Sequence, residues 1–260
     1  VPTFHTADGV ELHYHERGPS GTIPLLFLHG WQADATVWDA IVDELANDYR
    51  TIAVDLRGFG ESNAAPGPHR VETFADDISA LVASLDLDPL VAVGHSMGAA
   101  IAMRFAIDRP DAIEGLVLVA PVPADALVFP PKLDAMFRAT IGNDANAAAW
   151  LAKLTLAEPP PAVTGMLRAA ASRAAVAAAL ESYESWTSLA FGDEAATIGT
   201  PTLVLAPIGD KLMTPELTRE RVAAPIAGSR LIVVENASHY AIVEQPQRIA
   251  REIARFVGEL

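Results

Sequence analysis

The sequence predicts an α/β fold, a mostly parallel sheet with helices on both faces, and three observations lead to it. Strand-length apolar or β-branched runs alternate with patterned segments of helical length along most of the chain. Several of these runs are apolar throughout, as expected of strands covered on both sides. The alternation then breaks between Pro121 and Thr200 and resumes with another strand, which marks an insertion.

The elements follow in order. Asp8-Gly9 favours a turn with positive φ, so the first strands form an antiparallel hairpin that continues over Val10 to Tyr14. Pro24 to Leu28, Thr51 to Val54, Leu90 to Val93, Gly115 to Ala120, Thr202 to Leu205 and Leu231 to Val234 supply the remaining strands, for an expected sheet of eight. Helical periodicity appears at about 35–47, 72–86, 97–108, 215–224 and 246–257. The interrupted interval carries seven prolines and the segment GMLRAAASRAAVAAALESYESW, and reads as three or four inserted helices. Met166, Leu167, Val176, Leu180, Tyr183 and Trp186 recur at a spacing that favours folded helices there. Alanine contributes little side-chain area, so this insertion is expected to pack more loosely than the sheet core. The expected division is 1–121 with 201–260 as the core and 122–200 as a helical subdomain.

Composition narrows the function. With 51% hydrophobic residues over 260 positions, the chain can bury a large core. Its formal charge of -15, with basic residues scattered, disfavours nucleic acid and anionic membrane surfaces as partners. Cysteine is absent, which removes disulfides, thiolate metal sites and a cysteine nucleophile. No run approaches 18 apolar residues and the first residues carry no basic region before an apolar one. A soluble, cytoplasmic protein without stable membrane insertion is the expectation; monomer and homodimer remain open.

The chemistry centres on VAVGHSMGAAIA at 91–102. Ser96 stands between a strand and a helix, where a serine often serves as a cap. Gly94 and Gly98 bracket it in the pattern G-x-S-x-G, and a strand before with a helix after is the setting in which that pattern makes a nucleophile elbow. The turn is sharp enough that a side chain at either flanking position would meet backbone. A serine needs a base, and among seven histidines His239, on the loop after the last strand in ENASHYAIVEQP, is placed for it. His95 is adjacent to Ser96 but is expected to point elsewhere in a structural role. The histidine in turn needs a carboxylate. Asp210 follows the seventh strand in TLVLAPIGDKLMTP and gives the chain order Ser, Asp, His; Asp125, beyond the sixth strand, is the rival acid. Donors for an oxyanion are expected from the backbone N–H groups of Trp31 and Met97, with Gly30 supplying close approach and an unusual φ. Val122, Leu127, Phe129, Met136, Phe137, Trp186, Leu212 and Tyr240 are candidates for an apolar pocket. No recognised metal-ligand spacing occurs, and neither metal nor organic cofactor is expected.

Together, HGW at 29–31, DLRGFGES at 55–62, GHSMG at 94–98, GDKLMTP at 209–215 and NASHY at 236–240 give the chain a resemblance to the α/β-hydrolase superfamily over nearly its whole length. It looks most like the small serine esterases and the cofactor-free haloperoxidase or perhydrolase-like branch. The resemblance implies an eight-stranded α/β-hydrolase fold with a helical cap between strands six and seven. It also implies an acyl-enzyme on Ser96 with His239 as base and Asp210 as orienting acid. The expected substrate is a small, mainly apolar ester or lactone, with water as co-substrate. Hydrolysis of C–C bonds in vinylogous diketones, perhydrolase chemistry and a non-enzymatic ligand-binding receptor are the alternatives. The chain departs from the family's commonest acid loop by placing Pro207 and Ile208 just before Gly209-Asp210.

Overall fold

A computed structural model describes residues 1–157 and 159–260. Eight strands form one sheet: β1 (Thr3–His5), β2 (Glu11–Arg17), β3 (Leu25–Leu28), β4 (Thr51–Val54), β5 (Leu90–His95), β6 (Ile113–Val119), β7 (Thr202–Pro207) and β8 (Arg230–Val234). Their spatial order is β1-β2-β4-β3-β5-β6-β7-β8. The β1–β2 hairpin turns at Gly9, whose φ is 81° and whose N–H donates to the Thr6 carbonyl. β2 runs antiparallel to β4, and every later pairing is parallel. All parallel strands therefore end at one edge, and the loops that follow β3, β5, β7 and β8 share it.

The central strands are buried residue after residue, as their unbroken apolar runs require. The helices α1 (Asp39–Leu45) and α11 (Pro246–Val257) pack against each other, as do α2 (Val71–Leu85) and α3 (Met97–Asp108). The single turn α10 (Ala241–Glu244) precedes α11, in which Ile249, Ile253, Phe256 and Val257 recur at helical spacing on the buried side. Between β6 and β7 lie α4 (Pro131–Arg138), α5 (Asp144–Leu151), α6 (Pro161–Arg173), α7 (Val176–Thr187) and the single turn α8 (Gly192–Ala195). This is one or two helices more than the sequence pattern predicts.

Other departures are local. The helix expected over 35–47 is split into a 3-10 turn, Ala35–Trp38, capped by the Asp34 side chain on the Thr36 N–H, and then α1. The one expected over 215–224 is a short α9 (Pro215–Thr218) running into a wide turn over Arg219–Ala223. On α7 the expected anchors Val176 and Leu180 are exposed, and the buried side is made instead by Ala178, Ala179, Ser182, Tyr183 and Trp186. Among the described residues no helix is long and apolar enough to cross a membrane.

Candidate active site

Ser96 follows β5 directly and has φ 55° and ψ −118°, a backbone conformation that side chains with a Cβ rarely adopt. Its hydroxyl makes no capping bond to α3. The conformation is held by its surroundings: the Ser96 N–H donates to Val119 at 3.0 Å, and its carbonyl accepts from Ala99 at 3.0 Å and Val122 at 3.2 Å. The flanking glycines are sterically required. A Cβ on Gly94 would lie 2.6 Å from the Ala99 nitrogen, and one on Gly98 would lie 2.6 Å from the His29 carbonyl oxygen. Freed from capping, the hydroxyl turns toward His239.

His239 Nε2 lies 3.0 Å from Ser96 Oγ, and its Nδ1 lies 2.7 Å from Asp210 Oδ2. With the carboxylate accepting from Nδ1–H, Nε2 keeps its lone pair and the serine O–H donates to it. Asp210 is held in turn by the N–H groups of Leu212 and Met213, which donate to Oδ1 at 2.8 and 3.0 Å. Burial works to raise the Asp210 pKa, but the imidazole and these two amides outweigh it, and the carboxyl sits below its ordinary range. The loop after β7 is stitched to the loop after β8 by Gly209 N–H to Ala237 and by Ser238 Oγ to the Gly209 carbonyl. Such an arrangement can take the proton from the serine oxygen and keep the resulting imidazolium beside a fixed negative charge.

Asp125 stands apart from this group. It is half-exposed, forms an isolated bridge with Ala190 and lies 4.0 Å from Arg221. His95 is buried, with its ring 5.1 Å from that of His239 and its Nε2 2.8 Å from the His239 carbonyl, to which it donates. Burial, and next the neighbouring His239, push the His95 pKa down to about 3, so the ring is neutral.

Gly30 approaches the elbow closely, since a Cβ there would sit 3.2 Å from that of Ser96. The unusual φ expected at Gly30 falls two residues later, on Gln32 at 54°. Trp31 follows Gly30, and Met97 opens α3, where amides have no partner in the preceding turn of helix. His29 carries the loop from behind: Nδ1–H donates to the Gly30 carbonyl at 2.8 Å and Nε2 accepts from the Leu56 N–H at 3.1 Å.

Above Ser96 opens a narrow cavity of about 40 Å³. Of the expected wall residues, Phe137, Trp186, Leu212 and Tyr240 line it, and Trp31 joins them. Val122, Leu127, Phe129 and Met136 do not: Val122 is buried behind the elbow, Leu127 bonds to Thr187, and Phe129 stacks on the far side of Phe137 with ring centroids 5.1 Å apart. Met136 is packed against the core one helix position away from Phe137 and so faces elsewhere. The remaining wall comes from Gln32, Thr140, Ala147, Trp150, Leu151, Leu154, Ala171 and Met213. Trp150 and Leu154 carried a signal in being large apolar residues within the insertion; the polar Gln32 and Thr140 carried none. Among the described residues the lining contains no Lys, Arg, Asp or Glu, and no group of three or more metal-ligating side chains occurs anywhere.

Comparison with known proteins agrees with this architecture. A non-heme chloroperoxidase of Streptomyces lividans is 38% identical over 123 residues, 46% of this chain and 45% of that protein. The chain thus matches less than half the length of such relatives. A 2-(acetamidomethylene)succinate hydrolase of Mesorhizobium japonicum is 27% identical over 95% of this chain and 92% of its own. A solved thermophilic esterase from Thermogutta terrifontis superposes with a TM-score of 0.87 and 27% identity, covering 99% of this chain and 98% of that one. Residues 25–252 match the Alpha/beta hydrolase family, and with the eight-stranded sheet and the elbow at Ser96 they establish that the chain belongs to it.

Proposed function

We propose that this protein is a serine hydrolase that cleaves small, neutral, mainly apolar carboxylic esters, lactones included, through an acyl-enzyme on Ser96. The observation that carries the reading is the continuous hydrogen-bonded series Ser96, His239, Asp210 at the floor of an uncharged, aromatic-walled cavity. Ser96 Oγ attacks the ester carbonyl carbon while His239 Nε2 takes its proton, and the carbonyl electron pair becomes an oxyanion facing the amides of Trp31 and Met97. Collapse of the tetrahedral intermediate breaks the bond to the alcohol oxygen, which leaves with the proton from His239. Water then gives a proton to the same nitrogen and attacks the acyl carbon; the bond from that carbon to Ser96 Oγ breaks, the oxygen takes the proton back from His239, and the acid is freed. Asp210 holds the Nδ1–H throughout and stabilises the imidazolium. The insertion over residues 122–200 serves as the cap that selects the acyl group, because α4, α5, α6 and α7 all contribute to the wall.

The wall bears on substrate class as well. A carboxylate-bearing substrate, such as a dienoate for C–C hydrolysis, would be buried without a cation, which is costly. The chloroperoxidase relative favours one second reading, in which hydrogen peroxide replaces water and the acyl group leaves as a peracid. Turnover of p-nitrophenyl butyrate by the intact chain and by Ser96→Ala tests the mechanism. The variant is expected to lose about 10⁴-fold or more in kcat, and a phosphonate ester is expected to add its mass to the wild type alone. Undiminished turnover in Ser96→Ala refutes the mechanism, and binding without turnover in the wild type favours a receptor. Peracid formation on adding peroxide measures the second reading directly.

A further inference from the structure

Three side chains of the loop after β3 reach three separate helical segments of the insertion. Trp31 Nε1–H donates to the Ala179 carbonyl in α7 at 2.8 Å. Gln32 Nε2–H donates to Thr140 Oγ1, just beyond α4, at 2.7 Å. Asp34 is ion-paired with Arg173 at the end of α6.

Gln32 differs from the other two in its backbone. The Ala33 N–H donates to the Gly30 carbonyl at 3.2 Å, closing a four-residue turn in which Gln32 holds the third position with φ 54°. Turns with positive φ at that position are normally built with glycine or asparagine. A glutamine there is strained, and the strain is relieved if the turn opens, which would shift the Gly30–Trp31 peptide with it. Something must hold the less favourable form. Thr140 Oγ1 donates its own proton to the Phe137 carbonyl at 2.6 Å, which aims its lone pairs at the Gln32 amide. Both side chains are buried in the cavity wall, where losing the bond would leave a polar group without solvent.

We propose that Gln32 and Thr140 are a positioning pair: their hydrogen bond holds the turn over residues 30–33 in its strained form and thereby keeps the Trp31 N–H aimed at the oxyanion, linking that amide to the placement of α4. The inference rests on the serine-hydrolase reading and on Trp31 as an oxyanion donor. Because the amide acts on charge that develops only in the transition state, misplacing it lowers kcat and leaves KM nearly unchanged. A merely structural or wall-forming role would move KM or stability instead.

The test measures kcat and KM for p-nitrophenyl butyrate in Gln32→Leu, Thr140→Val, the double variant and Thr140→Ser. Each single variant is expected to lose about 10- to 100-fold in kcat, short of the loss on deleting an oxyanion donor outright, with KM within about twofold. The double variant is expected to be no worse than either single one, since both break one bond. Thr140→Ser keeps the hydroxyl and is expected to retain wild-type kcat. Gln32→Gly removes the tether and the strain together, because glycine favours the positive φ, and it is expected to keep kcat well above that of Gln32→Leu; Thr140→Val covers a failure of Gln32→Leu to fold. Wild-type kcat in Thr140→Val, a kcat in Gln32→Gly as low as in Gln32→Leu, additive losses in the double variant, or a change confined to KM overturns the inference. If Ser96→Ala is inactive in the same assay, that failure leaves the hydrolase reading standing, whereas an active Ser96→Ala removes the reading itself.

Discussion

Asp210 shows how one side chain can be fixed by what surrounds it. Its two oxygens are divided between tasks, one accepting two backbone amides and the other facing His239, so the carboxylate cannot rotate without losing three bonds. Asp210→Asn keeps the size but offers a neutral amide that favours the wrong imidazole tautomer, and kcat is expected to fall by about 10³- to 10⁴-fold. Steady-state kinetics with p-nitrophenyl butyrate measures it, and Asp125→Asn, half-exposed and distant from His239, is the control expected to stay within about twofold. The positions of Ser96, Asp210 and His239 were legible because each stands just past a strand whose apolar run is readable, and parallel strands bring such positions to one edge. Gln32 and Thr140 were not, since a polar residue in a loop has no periodicity and the strain at Gln32 is a property of φ rather than of composition. Which face a large apolar residue presents was equally hidden, and so Phe129 and Met136 fell outside the cavity while Trp150 and Leu154 line it.

At the scale of elements, the elbow depends on how closely α3 approaches the end of β3. The Gly98 position faces the backbone carbonyls of Leu28 and His29, and neither can retreat without disturbing the strand. Gly98→Ala is therefore expected to destabilise by about 1–3 kcal/mol and to lower the melting temperature by about 3–10 °C. Gly199→Ala, at a site open to solvent, is the comparison expected to show no loss; calorimetry of the two distinguishes a local steric effect from a general one. The same reasoning explains why the sequence pattern misjudged α7. Ala178 packs so near Gly58 that a Cβ on the glycine would overlap its methyl group, and Ala175 donates to the Gly58 carbonyl at 2.9 Å. Contact at that range admits only small residues, so alanines take the inner face and Val176 and Leu180 are left outside. Hydrophobic periodicity finds the largest side chains, whereas close helix approach selects the smallest. Helix ends were misread for a different reason: Asp34 caps a tight 3-10 turn before α1, and such a turn has the same apolar spacing as helix over four residues.

Across the whole molecule, folding is linked to pH through histidines buried in neutral form. His95 is pushed down to about 3 and His29 is also lowered, in both cases first by burial. Between the ordinary histidine pKa near 6.5 and the folded value, the unfolded chain binds a proton that the folded chain does not, so stability is complete above that range and falls as pH drops through it. For His95 the slope approaches about 1.4 kcal/mol per pH unit. Urea denaturation at pH 7.0 and 5.0 is expected to show a smaller drop in His95→Asn than in the wild type; equal drops would remove His95 as a source. The outline of the fold was readable at this scale because strand-length apolar runs alternate with helical segments, which leads to a mostly parallel sheet with helices on both faces. Contacts between insertion and core were not readable, as they join residues more than a hundred positions apart through single bonds. The insertion leaves at the end of β6 and returns to the start of β7, neighbouring strands in the sheet. An insertion joined to the core at two neighbouring strand ends can change in length without breaking the sheet, so a different segment grafted at residues 122–200 would reshape the cavity wall and leave the strand ends that carry Ser96, Asp210 and His239 as they are.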